Sequence, residues 1–377
     1  MANSVLTLQN IAREMLPLLK ENLVAPMTMN MDYSEDFIGK GAEILVEKPA
    51  VFVADEFGGN INLQDVNEKS VLVKMDTIAD VSFACSAKEL ALSMTQFKTK
   101  YLKSAASAIA QKINQDGLAL YKSIPYFTGA AGTTPDALED FANAEKILND
   151  NLAPMGERSA IWSTAAKAKF QVLDAIVGAD KSGTTAALRL GSIGDVAGFQ
   201  NYMSQAVKTH TAGGYTALAD VTITTGAAAA TSIVLTSTAA ASTATLLEGD
   251  LLTLDGNQYV VTADTAAAAS GVVTVAIYPA LEKAFGDMTA VTVAFADVSA
   301  GAHVANLVYN KDAFIFVTRP LDLPGDKEAY VVSDAESGLS LRVVMGYDMT
   351  TKKSTMSIDI LYDYVTAYEE LAAVVLG

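Results

Sequence analysis

The stretch from Leu90 to Lys122 constrains this chain most. Apolar side chains at Leu90, Met94, Phe97, Tyr101, Ala105, Ala108, Ile109, Ile113, Leu120 and, just beyond, Ile124 recur at steps of three and four, with few breaks. That period lays them along one stripe of an α-helix. Lys98, Lys100, Lys103, Gln111 and Lys112 fall mainly between them and can face water. Ala105, Ala106, Ala108 and Ala110 are strong helix formers, and no proline interrupts the run. At about 1.5 Å per residue the helix would be about 50 Å long, longer than a small domain is wide. It must run across several parts of the fold.

The segments before it want partners. Ser4 to Val24 reads as an amphipathic helix whose face is Leu8, Ile11, Met15, Leu19 and Leu23, and Pro17 is expected to end or kink it. A short helix with one apolar face docks either on its own core or on a neighbouring subunit. Gly41 to Phe83 reads as β structure with a long excursion. Strands are expected around Ala42–Val46 and Val71–Met75, with Val81 and Phe83 continuing and a Gly58-Gly59 turn between. A two-stranded ribbon is at best marginal alone in water, so it packs back on this chain or lies across another.

After the long helix the pattern is mixed. Thr134 as N-cap with Pro135 behind it predicts a helix carrying Leu138, Phe141, Ile147 and Leu148 and ending near Asn151. Arg158 to Trp162 reads as a strand, Ser163 as the start of another helix with Ala166, Phe170 and Leu173 inward, and Phe199 to Val207 as a strand. At Gly213 the composition turns to Ala, Thr and Val. About six short strands are expected between Val221 and Phe295, with turn signals at Leu247–Asp250 and Leu254–Asn257. This is a small all-β sandwich or barrel interrupting an α+β domain. Its acids, Asp250 among them, read as solvated turns, since they lack the alternating spacing of a calcium loop. Strands resume at Phe314–Val317, along the alternating Leu339, Leu341, Val343 and Met345, and at Thr355–Val365. The last residues, Tyr364 to Gly377, can end as a strand or a short helix.

Composition narrows the function. The 377 residues carry a net charge of −17, and 51% are hydrophobic against 18% charged. Such a chain has large buried faces or buries more by assembly. Electrostatic attraction to DNA or an anionic membrane is not expected at a pI near 4.5. The lone Cys85 excludes an intrachain disulfide framework and reads as a buried structural thiol. No leader of the secretory kind and no apolar run of about 18 residues is visible, so a cytoplasmic, non-membrane chain is expected. Catalytic, cofactor and metal sites are expected to be absent: no GxGxxG, phosphate-loop lysine or GxSxG elbow occurs. His210 and His303, at either border of the all-β module, could face each other, but two histidines alone are a weak metal signal.

The order of these segments resembles tailed-phage major capsid (coat) proteins with the HK97-type fold. It looks more closely like the branch of short-tailed Salmonella phages that carries an inserted β domain. The similarity spans nearly the whole chain. It rests on Gly41–Phe83 with Lys48-Pro49-Ala50 and Leu63-Gln64-Asp65-Val66; on Leu90–Tyr121 with Tyr101-Leu102-Lys103; on Gly198 to Gln205; and on Thr209 to Gly213. The resemblance implies an N-terminal arm (1–40), an extended loop formed by the β-ribbon (41–85), a spine helix and peripheral domain (86–135) and a first axial part (136–212). An inserted all-β, Ig-like or barrel, domain (213–300) follows, then the remaining axial and peripheral strands (301–377).

It further implies a structural subunit of an icosahedral virion shell that encloses double-stranded DNA without sequence specificity. Other copies of the chain, in pentamers and hexamers, a separate scaffolding protein and a portal protein would be its partners, and assembly would occur in a bacterial cytoplasm. Contacts between subunits are expected at Leu8, Ile11 and Met15 of the arm and at Lys48, Val51, Phe52, Glu56 and Phe57 of the ribbon. Some relatives crosslink a loop lysine to a neighbour's asparagine. Lys48 and Lys74 are the candidates here, although the branch it most resembles is not thought to crosslink. The alternatives are an exported surface-layer or adhesion protein using the Ig-like module, and an enzyme with an accessory β domain acting through His210 or His303.

Overall fold

A computed structural model of the protein describes residues 8–35, 43–48, 69–85, 97–178, 189–216, 218, 220–238, 244–267, 271–285, 293–296, 301–325, 328–334, 338–349 and 353–377. In chain order the elements begin with helix α1 (Leu8–Asn22) and strands β1 (Glu43–Lys48), β2 (Lys69–Lys74) and β3 (Thr77–Cys85). Helix α2 (Lys103–Leu118), β4 (Phe127–Thr128), α3 (Leu138–Asp150), β5 (Arg158–Trp162), α4 (Thr164–Phe170), β6 (Asp195–Val196), β7 (Phe199–Met203) and β8 (Thr209–Thr211) follow. Then come β9 (Thr222–Thr225), β10 (Ser232–Thr236), β11 (Leu251–Leu254), β12 (Asn257–Val261), β13 (Val272–Tyr278) and β14 (Val293–Phe295). The chain closes with β15 (Ala302–Asn310), β16 (Phe314–Arg319), β17 (Glu328–Ser333), β18 (Ser340–Asp348), β19 (Lys353–Thr366) and β20 (Ala372–Leu376). They fall into two compact units: residues 1–23, 30–111 and 314–367, and residues 24–29, 112–313 and 368–377.

The first unit is built on β19. Its even residues Met356, Ile358, Ile360 and Tyr362 are buried, as the alternation predicts, and Leu339, Leu341 and Val343 join them. β19 pairs antiparallel with β3 along one edge and with β18 and then β16 along the other, and β17 completes the sheet beyond β18. Helix α1 packs on β17 and β18. Lys20 Nζ reaches Asp334 at 2.9 Å and Lys98 Nζ reaches Glu14 at 2.5 Å. Pro17, expected to end or kink this helix, does not end it. It sits inside α1 with its ring exposed. There the carbonyl that loses its hydrogen bond to the missing N–H can be met by water.

The long helix is continuous from Phe97 to Ser123: a π turn over Lys98–Leu102, then α2, then a 3₁₀ turn over Ala119–Ser123. Leu90 to Gln96 lie outside the described residues. The π turn adds one residue per turn, so the buried stripe steps from Phe97 to Leu102. It continues through Ala105, Ala106, Ile109, Ala110 and Ile113 to Leu118 and Tyr121. Tyr101 is therefore turned toward the stripe's edge, where it stacks on Phe83 with ring centroids 5.8 Å apart, and Ala108 faces out. The expected face holds at Phe97, Ala105, Ile109 and Ile113, and Leu102 takes the place expected of Tyr101 because a 3.6-residue period cannot encode the wider turn.

The second unit holds two sheets. One has the order β4-β20-β15-β5-β7-β6, with β8 also pairing β15. Its core gathers Phe141, Trp162, Phe170, Phe199, Val308 and Val375. Helix α4 starts at Ser163 as predicted, the hydroxyl accepting from the Ala166 N–H. Helix α3 starts at Leu138, later than the Thr134 cap predicts. Asp140 reaches back to accept from the N–H groups of Asp136 and Ala137 at 2.9 and 3.0 Å, so the cap is made from inside the first turn.

The other sheet, β14-β11-β12-β13-β10-β9, encloses its own core of Tyr215, Leu235, Leu252, Tyr259, Val261, Val275 and Phe295. Its six strands stand where the alternation places them. The chain departs into it after β8 and returns at β15, and these two strands are paired, His210 opposite His303.

Candidate assembly surfaces and a buried polar junction

The ribbon β1–β2 has two unlike faces. Antiparallel pairing sets Leu45 opposite Leu72 and Glu43 opposite Lys74. Leu45 and Leu72 are 63% and 44% exposed, while Val46 and Val73, pointing the other way, are buried. The open leucine pair is bordered by the Glu43–Lys74 ion pair at 2.9 Å. A directly apposed apolar pair on an open strand face is the kind of patch a partner covers.

In the second unit a loop displays Leu152 and Met155, 90% and 77% exposed. The loop is braced from beneath. Buried Arg158 donates from Nε to Pro154 O at 2.7 Å and from a terminal nitrogen to Ala153 O at 2.6 Å. Asn310 Nδ2 donates to Gly156 O at 2.7 Å. Burial pushes the Arg158 guanidinium below its usual range, with the charge of Glu145 opposing. Leu152 itself has a left-handed backbone, φ 57°, a strained setting for a branched side chain that the bracing sustains.

The sequence-derived contact residues are dispersed. Ile11 and Met15 are buried in their own unit, and Leu8 is half-exposed. Their helical face lies on β17 and β18 because those strands supply an apolar surface within the same chain. Lys48 ends β1, opposite Lys69, and is half-buried. Val51, Phe52, Glu56 and Phe57 lie outside the described residues.

The most ordered polar arrangement is one that sequence reasoning missed. Tyr121, at the end of the long helix, places its hydroxyl 2.9 Å from His210 Nδ1, and His210 Nε2 lies 2.8 Å from Asp250 Oδ1. Asp250 is 0% exposed and His210 3%. Asp250 also accepts from the N–H of Leu247 at 2.8 Å and of Gly213 at 3.2 Å. Nε2 of His210 thus faces the Asp250 carboxylate and Nδ1 faces the Tyr121 hydroxyl, so each ring nitrogen has a hydrogen-bond partner. His303 lies beside it, ring centroids 5.2 Å apart.

The expectation that the acid of the Glu248-Gly249-Asp250 turn is solvated is therefore corrected. The turn folds inward because Gly213, at the module's entry, has no side chain. A Cβ there would meet Thr245 O at 2.3 Å. Only the Gly at 213 and the turn pattern hinted at this. Around the same junction Gln258 exchanges two hydrogen bonds with the backbone of Phe127, and Tyr278 donates to Glu369. Burial, then the charges of Glu369 and Glu370, push the Tyr278 hydroxyl well above its usual range.

A histidine between a tyrosine and an aspartate could move a proton, and here both His210 and Asp250 are closed off from solvent. Among the described residues no group of three or more His, Cys, Asp or Glu is arranged to hold a metal. Among the described residues, a cleft of about 270 Å³ beside Lys167, Gly191 and Tyr202 is lined by no acid. None of the helices among the described residues is long and apolar enough to cross a membrane.

No family model matches the sequence, and no curated protein matches it. Solved structures are similar in part. That of Mycobacterium phage Che8 has a TM-score of 0.49 at 11% identity, covering 94% of this chain and 90% of that one. The capsid of the Cyanophage P-SCSP1u scores 0.45 at 10% identity over 89% and 83%. The virus-like particle from Pyrococcus furiosus scores 0.43 at 8% identity over 98% of each chain. The structural neighbours are thus phage and capsid structures and a virus-like particle, at scores under 0.5.

Proposed function

We propose that this chain is the structural subunit of an icosahedral virion shell, a major capsid protein of the HK97 type that tiles with copies of itself around packaged double-stranded DNA. The observation that carries the reading is the ribbon: a two-stranded element with one face buried and a leucine pair open on the other. The braced Leu152–Met155 loop supports it as a second open apolar surface. So do the length of the helix from Phe97 to Ser123 and the sequence resemblance. Contacts between copies are assigned to Leu45, Leu72 and Lys48 of the ribbon, to Leu8, and to Val51, Phe52, Glu56 and Phe57 from their place in the sequence. Ile11 and Met15 serve the chain's own core. The role is structural rather than enzymatic. A separate scaffolding protein and a portal protein are the proposed assembly partners, and the all-β module is an inserted domain of the subunit.

The test is assembly. Co-expression with a scaffolding protein should give shells by electron microscopy. Leu45→Asp with Leu72→Asp should abolish them while circular dichroism and sedimentation show a folded, unassembled chain. A parent chain that stays monomeric under every such condition overturns the reading. Shells formed by the double variant at the parent's yield remove the ribbon from it.

A further inference from the structure

The second unit carries a knob and a cleft at opposite ends of one strand. The knob is the Leu152–Met155 loop, whose two named side chains are 90% and 77% exposed. It is fixed at the start of β5, where Arg158 and Asn310 hold its carbonyls. Glu157, beside it, has an exposed side chain. The cleft, of about 270 Å³, lies toward the other end of β5. One wall is Asn201, Tyr202 and Met203 of β7, which stand opposite Ala160, Ile161 and Trp162. Leu190 to Ile193 and Lys167 line the rest. β5 is about 13 Å long and the knob is pinned at its start, so a chain's own knob does not fill its own cleft.

Both surfaces are braced before any contact is made. Gln171 Nε2 donates to Gly191 O at 2.6 Å, and Asn201 Nδ2 donates to Gly194 O at 2.9 Å while its Oδ1 accepts from Trp162 Nε1 at 2.8 Å. Surfaces already held in place lose little entropy on meeting. Size matches too. A cavity of about 150 Å³ holds a benzene ring, so one of about 270 Å³ has room for the side chains of one leucine and one methionine. Charge matches as well. Lys169 reaches Asp136 at 3.8 Å, but no ion pair among the described residues uses Lys167, which is half-buried in a cleft lined by no acid. A partly desolvated ammonium without a counter-ion is costly, so the cleft favours an occupant that brings a carboxylate. Glu157 brings one.

We propose that the Leu152–Met155 knob of one copy of the chain seats in the cleft between 190–193 and 201–203 of a second copy, with Glu157 facing Lys167. This rests on the reading of the chain as a subunit that tiles with itself. The two patches are unlike, so the contact is head-to-tail. Each copy offers a knob to one neighbour and a cleft to another, and successive contacts close into a ring or run on as a filament. A closed shell uses the ring.

The test is directed disulfide formation between two full-length, separately tagged chains, Met155→Cys and Ile193→Cys, each in a Cys85→Ser background. Oxidised together they should give the mixed disulfide, with homodimers only at background. Lys167→Glu in the cleft partner should slow the mixed product at least about tenfold, because like charges then meet. Adding Glu157→Lys to the knob partner should restore it, which a merely misfolded variant would not allow. Homodimers as abundant as the mixed product, or a charge reversal that Glu157→Lys fails to rescue, overturn the contact. Shells that assemble from the parent while the mixed disulfide never forms sink this contact and leave the shell reading standing. A mixed disulfide from a chain that never forms shells does the reverse.

Discussion

Replacing Asp250 with alanine tests the buried junction most directly. The carboxylate is fully buried and accepts from His210 Nε2, the Leu247 N–H and the Gly213 N–H. Alanine leaves three donors facing each other with no acceptor and opens a small void. Each orphaned buried donor costs about 1 kcal/mol or more, so the loss is about 3–5 kcal/mol. Asp250→Asn keeps the shape and one acceptor oxygen, and should cost about 1–3 kcal/mol, because its amide nitrogen cannot accept from a backbone N–H. A 377-residue chain with two compact units need not unfold in one step, so a global melting curve is the wrong assay. Hydrogen exchange of β11, β12 and β13 reads the local opening directly. A loss of about 3 kcal/mol should speed exchange there by about a hundredfold, while amides of α1 and β18 in the other unit keep their rates. A change under about threefold in Asp250→Ala would refute the reasoning, since it would mean that these donors find water or other acceptors.

Two further outcomes follow from close packing and from helix geometry. Gly213→Ala forces a methyl to within 2.3 Å of Thr245 O. It should cost at least about 3 kcal/mol by displacing the Asp250 turn, read as loss of soluble chain or of the same β11–β13 protection. Pro17→Ala restores a backbone donor on the exposed side of α1. It should stabilise the first unit by about 1–3 kcal/mol, seen as slower exchange in α1 and β17.

The elements themselves were largely legible from the residues, because a side chain's choice between water and core is made locally. Met356, Ile358, Ile360 and Tyr362 alternate, and β19 buries them. The six short runs between Val221 and Phe295 became six strands of one sheet. Ser163 capped its helix. Local rules misjudged where a neighbour in space supplied the missing term. The cap of α3 came from Asp140 rather than Thr134, Pro17 was tolerated within α1, and the π turn at Lys98–Leu102 buried Leu102 in place of Tyr101.

What the residues determined alone was period: a long helix, a ribbon with little core of its own, and an all-β stretch between two histidines. Tertiary structure decided which of these meet. Strands β3 and β19 lie far apart along the chain, and only their register brings Asp80 to Asp359. Likewise, only the return of β15 beside β8, with the inward fold of the Asp250 turn, assembles Tyr121, His210 and Asp250. The physical reason is that hydrophobic pattern acts over a few residues of chain. Charge pairing and hydrogen bonding act over a few ångströms of space, and that proximity is created only when distant strands find their register.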